Sequence, residues 1–187
     1  MPGLVLFHDY TSPAAAVAAL RLQRLVDQGL PAEFEGFEAI GLDTALPLTL
    51  DVIAAMDAVA ETARDESLTL RRPRALPPTV LAHVVGAVAD EGGLGASWRE
   101  TCYRAFWSEG AAIGERAVLL KLAARAGLDP EPVGIALGDR LSLAAVRRRH
   151  AMHRRNGVGG VPTILASRTL VPGLLPEEQL RTLARYA

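Results

Sequence analysis

The sequence predicts an α/β fold with a helical block set into it. Three observations carry that prediction. An apolar run, Leu4 to Phe7, stops at His8-Asp9 and feeds through Tyr10-Thr11 into a long Ala/Leu helix opened by Ser12-Pro13. A second short strand follows at once, and then about 100 residues of helical periodicity. The chain closes on a Gly-rich turn, a hairpin and a last helix.

Each element has a local reason. Ser12 is a good N-cap and Pro13 a good first helical residue, because the N–H groups of a first helical turn have no partners within the helix. The helix N-terminus therefore lies at the carboxyl end of the first strand, where its free N–H groups and dipole favour negative charge. Gly29 ends the helix and Pro31 forbids its continuation. Ala32 to Phe37 alternates polar and apolar residues and reads as a second strand, parallel to the first through a right-handed crossover. Glu38 to Pro47 reads as a loop.

Thr49 can cap a helix from Leu50 to about Arg64, with Val52, Ile53, Met56, Val59 and Ala60 on one face. Leu68 to Pro78 is extended and broken by three prolines. A helix from Pro78 to about Asp90 should bury Leu81, Val84, Val85 and Val88. The next, from about Ala96 to Ser108, puts Trp98, Cys102, Ala105 and Phe106 on one stripe. Helices from Glu115 to Ala126, from Glu131 to Leu137 and from Leu141 to Asn156 complete the block. Gly157 to Gly160 then leads to Val161-Pro162-Thr163 and a strand to Ala166; Ser167-Arg168 turns and Thr169 to Val171 returns.

Composition narrows the function classes. At 187 residues, half of them hydrophobic, the chain suits one domain with a sub-domain insertion. A net charge of −1 gives no global field for nucleic acid or membrane, so neither is expected as a partner. No window reads as a membrane span, and MPGLVLF reads as no signal peptide. Cys102 is the sole cysteine, which fits a reducing cytoplasm. No metal-ligand cluster, nucleotide loop or Ser-His-Asp signature is present, so no metal is expected.

The strand–turn–helix start and the Gly-Val-Pro-Thr before a closing hairpin and helix resemble the thioredoxin fold, and more narrowly the DsbA-like family. That family includes kappa-class glutathione transferases and 2-hydroxychromene-2-carboxylate isomerases. The segments RRPRALPPTVLAH and YRAFWSEGAAIGERAVLLKLAARAGL resemble the isomerase branch. The resemblance implies a thioredoxin-like domain of residues 1–48 plus 139–187, with an all-helical domain of residues 49–138 inserted between the second and third strands. It implies a Pro162 preceded by a cis peptide, and a Val161 backbone free to pair with an extended thiol peptide.

DsbA-like oxidoreductases carry Cys-x-x-Cys where this chain has Ser12, Pro13, Ala14 and Ala15. Disulfide exchange needs an attacking thiolate and a resolving thiol, so this chain cannot run that cycle alone. The isomerase and transferase branch replaces the first Cys with Ser, whose hydroxyl donates to the sulfur of bound glutathione. The resemblance thus implies catalytic roles for Ser12 and, as base or donor, His8. It implies a cofactor site at Ser12, Pro13, Val161, Pro162 and Thr163 for glutathione or another low-molecular-weight thiol. The partner would be that thiol or a small apolar substrate, and a homodimer is compatible with it. The chain departs from the branch at Ala14, Ala15 and Ala16, at Pro78, and at Leu174 or Leu175, where the branch has polar or aromatic residues. Those departures sustain a rival reading, a redox-dead binding scaffold.

Each single residue also has a plainer role. Ser12 serves as a cap whether or not it touches a cofactor. His8 at a strand end suits a structural hydrogen bond as well as catalysis. Cys102 on an apolar stripe reads as a buried structural thiol. Tyr10, Phe106 and Trp107 suit either a pocket wall or packing between lobes. Arg147-Arg148-Arg149-His150 with His153-Arg154-Arg155 reads as a solvated helix face.

Overall fold

The computed structural model describes residues 3–187. A four-stranded mixed sheet has the order β2-β1-β5-β6. Strand β1 (Leu4–His8) pairs in parallel with β2 (Ala32–Gly36) through helix α1 (Pro13–Asp27). Its other edge pairs antiparallel with β5 (Thr163–Ala166), which turns into β6 (Thr169–Pro172). Helix α8 (Glu177–Ala184) closes the chain.

Helix α1 shows why this start is so well defined. Its Ala-rich face lets the backbone approach the sheet, and Ala15, Ala16, Val17, Leu22 and Leu25 are all fully buried with Leu4 and Leu6 of β1. At its end Gly29 takes φ +96°, a conformation other residues rarely adopt. Leu30 N–H then reaches Leu25 O at 3.0 Å and Gly29 N–H reaches Val26 O at 2.8 Å, the paired bonds of a Schellman cap.

Between β2 and β5 run α2 (Leu50–Asp65), α3 (Val80–Glu91), α4 (Gly95–Trp107), α5 (Arg116–Arg125), α6 (Pro130–Gly138) and α7 (Arg140–Arg155). One core runs from Leu4 and Leu6 through α1 into Trp98, Tyr103, Trp107 and Ile113 of the helical block. A smaller cluster, Phe7 with Phe37 and Val158, covers the opposite face of β1. The helix boundaries follow the caps read from sequence within a residue or two.

Three features differ from the sequence expectations. Of the four α3 residues expected to be buried, Val84 and Val85 are, but Leu81 and Val88 are half-buried, and the buried face instead takes in Ala82, His83 and Gly86. Residues within the expected 38–47 loop form a strand: β3 (Leu46–Pro47) pairs antiparallel with β4 (Ala75–Leu76). A two-residue bridge between segments 29 positions apart leaves no periodic trace. The basic helix is also not simply a solvated face. Its arginines are exposed, but His150 and His153 are buried. Arg154 lies 4.7 Å above the Phe37 ring, and Arg147 pairs with Asp43.

Candidate functional site

Ser12 sits at the junction of β1 and α1 with extended backbone angles, φ −93° and ψ 118°. Its Oγ accepts from Ala15 N–H at 3.2 Å, and its own N–H donates to Asp9 O at 3.3 Å. Among the described residues nothing accepts the hydroxyl proton, which lies on a half-buried side chain at the positive end of a 15-residue helix. Pro13 is buried beneath it.

The start of β5 lies beside the end of β1, because Phe7 is in register with Thr163. The Val161–Pro162 peptide is cis. Pro162 O accepts from Gly173 N–H at 2.8 Å, and Thr163 Oγ1 donates to Gly160 O at 2.8 Å. Among the described residues, the N–H and C=O of Val161 find no hydrogen-bond partner. Pairing of β1 with β5 thus brings the Ser12 turn and the open Val161 backbone to the same end of the sheet.

His8 faces the other way. Strand alternation puts Leu4, Leu6 and His8 on one face, and His8 is 3% exposed. Its Nδ1 lies 2.9 Å from the Tyr103 hydroxyl, which donates to Asp9 O at 3.2 Å. One hydroxyl proton cannot serve both, so His8 Nδ1–H donates to Tyr103 and Nε2 stays unprotonated. Burial holds the His8 pKa well below the usual histidine range, helped by the positive charge of His83, Arg99 and His150.

His8 belongs to a buried polar network that joins the sheet to the helical block. His83 Nε2–H of α3 donates to Asp9 Oδ1 at 3.2 Å, and Ala39 N–H donates to Asp9 Oδ2 at 2.8 Å. Burial pushes Asp9 upward, but the hydrogen bond and charge of His83, the Ala39 N–H and the Thr79 hydroxyl outweigh it, so its pKa lies low. Glu38 N–H donates to His150 Nδ1 at 3.3 Å. Burial and the charge of His83 carry His150 down to about 3. The fit is tight at β2: a Cβ on Gly36 would lie 2.5 Å from His83 Nδ1.

The three aromatic residues are buried by packing between the lobes, and Phe106 also lines a groove at the edge of the helical block. Tyr10, Phe106 and Trp107 are at most 2% exposed, and Trp107 Nε1–H donates to Tyr10 O at 3.0 Å. Cys102 is fully buried, and burial pushes its thiol pKa well up. Among the described residues no group of three or more His, Cys, Asp or Glu could hold a metal ion, and no helix is long and apolar enough to cross a membrane.

The sequence reading missed Asp9, His83, Tyr103, Glu38 and His150 as one network. They come from five separate stretches of chain, so spacing offers no signal. The available hint was His83 itself, three residues before Gly86 on the buried face of α3.

A probable DsbA oxidoreductase from Streptomyces coelicolor superposes with TM-score 0.84 at 24% identity, over 98% of this chain and 88% of that one. A 2-hydroxychromene-2-carboxylate isomerase superposes with TM-score 0.77 at 18% identity, over 96% and 91%. The cytosolic disulfide reductase DsbM from Pseudomonas aeruginosa gives TM-score 0.71 at 23% identity, over 98% and 94%. DsbM has also been solved with GSH, and that structure gives TM-score 0.66 at 22% identity, again over 98% and 94%. These likenesses establish the fold. No curated protein matches the chain. The model of the DSBA-like thioredoxin domain matches residues 4–184, and the chain belongs to that family.

Proposed function

We propose that this protein binds a low-molecular-weight thiol, glutathione or an equivalent, where α1 begins. It would use that thiol in isomerase, transferase or oxidoreductase chemistry on a small apolar substrate. The observation that carries the reading is the pairing of two unfilled polar elements. Ser12 has a spare hydroxyl proton at a helix N-terminus, and Val161 has an unpaired backbone N–H and C=O at the neighbouring strand. A thiolate needs the first and an extended peptide-like thiol needs the second. DsbM, which shares the fold, has been solved with GSH.

In this reading Ser12 donates to the sulfur, Pro13 and Pro162 shape the walls, and Val161 and Thr163 line the thiol's backbone. His8, held against Tyr103 inside the protein, positions the β1–α1 turn and does not touch the thiol. The thiol unit is residues 1–48 plus 139–187, with residues 49–138 as the helical insertion. A reducing cytoplasm, where such thiols stay reduced, is the matching compartment.

The scaffold reading has one observation of its own. Leu174 and Leu175, one of which stands where the isomerase branch has an acidic contact, pack against the core, and Leu175 O is taken by Arg21 at 2.8 Å. A ligand's amino end would find no carboxylate there.

Thiolate ultraviolet absorbance decides between them. In a Cys102→Ser background, saturating protein should raise the thiolate fraction of glutathione at neutral pH, as a pKa lowered by about one unit would. Ser12→Ala should abolish the rise. An unchanged thiolate fraction in the presence of the parent protein would leave the scaffold reading standing.

A further inference from the structure

A groove of about 720 Å³ lies between the extended segment before α3 and the loop after α4. Arg71, Arg72 and Arg74 line one side, and all three are exposed. Phe106, Pro77 and Pro78 supply an apolar floor. Among the described residues none of the three arginines enters an ion pair or a side-chain hydrogen bond. The acids at the rim do not answer them. Glu109 is held by Arg125 at 2.8 Å and Asp43 by Arg147, which leaves Glu115 alone against three cations.

The backbone that carries the arginines is fixed. Arg71 N–H is fixed to Trp107 O at 2.8 Å, Pro73 locks the backbone between them, and β4 pins the segment to β3 just beyond. Three like charges within four residues repel one another, and an anion between them removes that cost. The volume falls in the range of small-ligand sites, and the combination of an apolar floor with a few convergent polar groups is what such sites use.

The groove also adjoins the β1–α1 turn. Pro77 and Pro78 line, from their other side, a crevice that contains Asp9 and Thr11. Phe106 is followed by Trp107, which is bonded to Tyr10 O.

We propose that this groove binds a small molecule with an apolar body and an anionic group held by Arg71, Arg72 and Arg74. As the site of the thiol's co-substrate it rests on the thiol reading; as an anion site it stands on its own geometry.

The probe is anilinonaphthalene sulfonate, an apolar anion that fluoresces when bound, beside its uncharged relative phenylnaphthylamine. The folded full chain should bind the sulfonate saturably, and naphthoate should displace it while naphthalenemethanol should not. Arg71→Gln/Arg72→Gln/Arg74→Gln should weaken sulfonate binding at least about tenfold and leave phenylnaphthylamine binding unchanged. If the triple variant fails to fold, Ala112→Glu, at an exposed position on the groove wall, should weaken the sulfonate in the same direction. Ser12→Ala should bind the sulfonate as the parent does, so that failure of the thiol site and failure of the groove are told apart. Absence of saturable binding, or equal sulfonate affinity in the parent and in whichever of these groove variants folds, would overturn the proposal.

Discussion

Asp9 and His83 form a buried pair that ties the end of the first strand to the helical block: His83 Nε2 lies 3.2 Å from Asp9 Oδ1, and the two side chains are 3% and 1% exposed. Asp9 O also receives the Ser12 N–H. The carboxylate that anchors α3 and the carbonyl that starts the candidate site thus belong to one residue. The geometry of Ser12 is therefore set partly by α3, which lies far away in sequence.

Asp9→Asn keeps the shape and removes the charge opposite His83. Its single amide oxygen can accept from only one of His83 Nε2–H and Ala39 N–H, and the other buried donor is left unpaired, so the variant should lose about 2 kcal/mol. Urea unfolding followed by circular dichroism measures it. Stability equal to the parent's would show that the pair does not hold the two parts together.

Much of the fold was legible because its causes are local. Ser12-Pro13, Gly29, Thr49 and the Ala/Leu periodicity of α1 each act within a few residues, and the observed elements sit where those residues put them. The Ser12 turn and Val161-Pro162 were legible for the same reason. The buried network was not. His150 sits in a run of arginines, where a buried residue is the exception, and it is buried because Glu38 N–H and His83 lie opposite it. Nothing within α7 encodes those neighbours.

That burial has a pH consequence. The folded pKa of His150 is about 3 and that of His8 is depressed well below normal, burial being the first cause in both. Below about pH 6.5 the unfolded chain binds protons at these histidines that the native chain refuses. The stability they contribute is complete above that pH and is lost as pH falls. One such group costs about 1.4 kcal/mol per pH unit. The parent should weaken steadily between neutrality and pH 5, and His150→Gln should weaken less steeply by about one proton's worth. Urea midpoints at several pH values test this, and parallel slopes would contradict it.

Cys102 is fully buried, and its thiol is pushed up by burial and by the negative charge of Asp9. It should react with an aromatic disulfide reagent only as fast as the protein opens, and at once in denaturant. Rapid labelling of the native protein would show an exposed, reactive thiol.

Ser12→Cys with Ala15→Cys, in a Cys102→Ser background, rebuilds Cys-x-x-Cys at the start of α1. The helix N-terminus should depress the pKa of the first thiol, and the second should resolve the mixed disulfide. The variant should reduce a model disulfide in the presence of a thiol reductant, and the parent should not. A variant that folds and forms its disulfide yet stays inactive would show that the cleft excludes thiol substrates.

The central claim is that a thiol sits between Ser12 and Val161, and backbone amide shifts in a nuclear magnetic resonance titration test it most directly. Reduced glutathione, coenzyme A and N-acetylcysteine are added in turn to the Cys102→Ser protein. At least one should saturate and shift the amides of Ser12, Ala14, Val161 and Thr163, with Trp98 and Leu119 in the core unmoved. Ser12→Asp should cancel those shifts while keeping the fold, because aspartate caps the helix as well as serine but repels a thiolate. No saturable shift with any of the three thiols, or shifts that survive Ser12→Asp unchanged, would contradict the account.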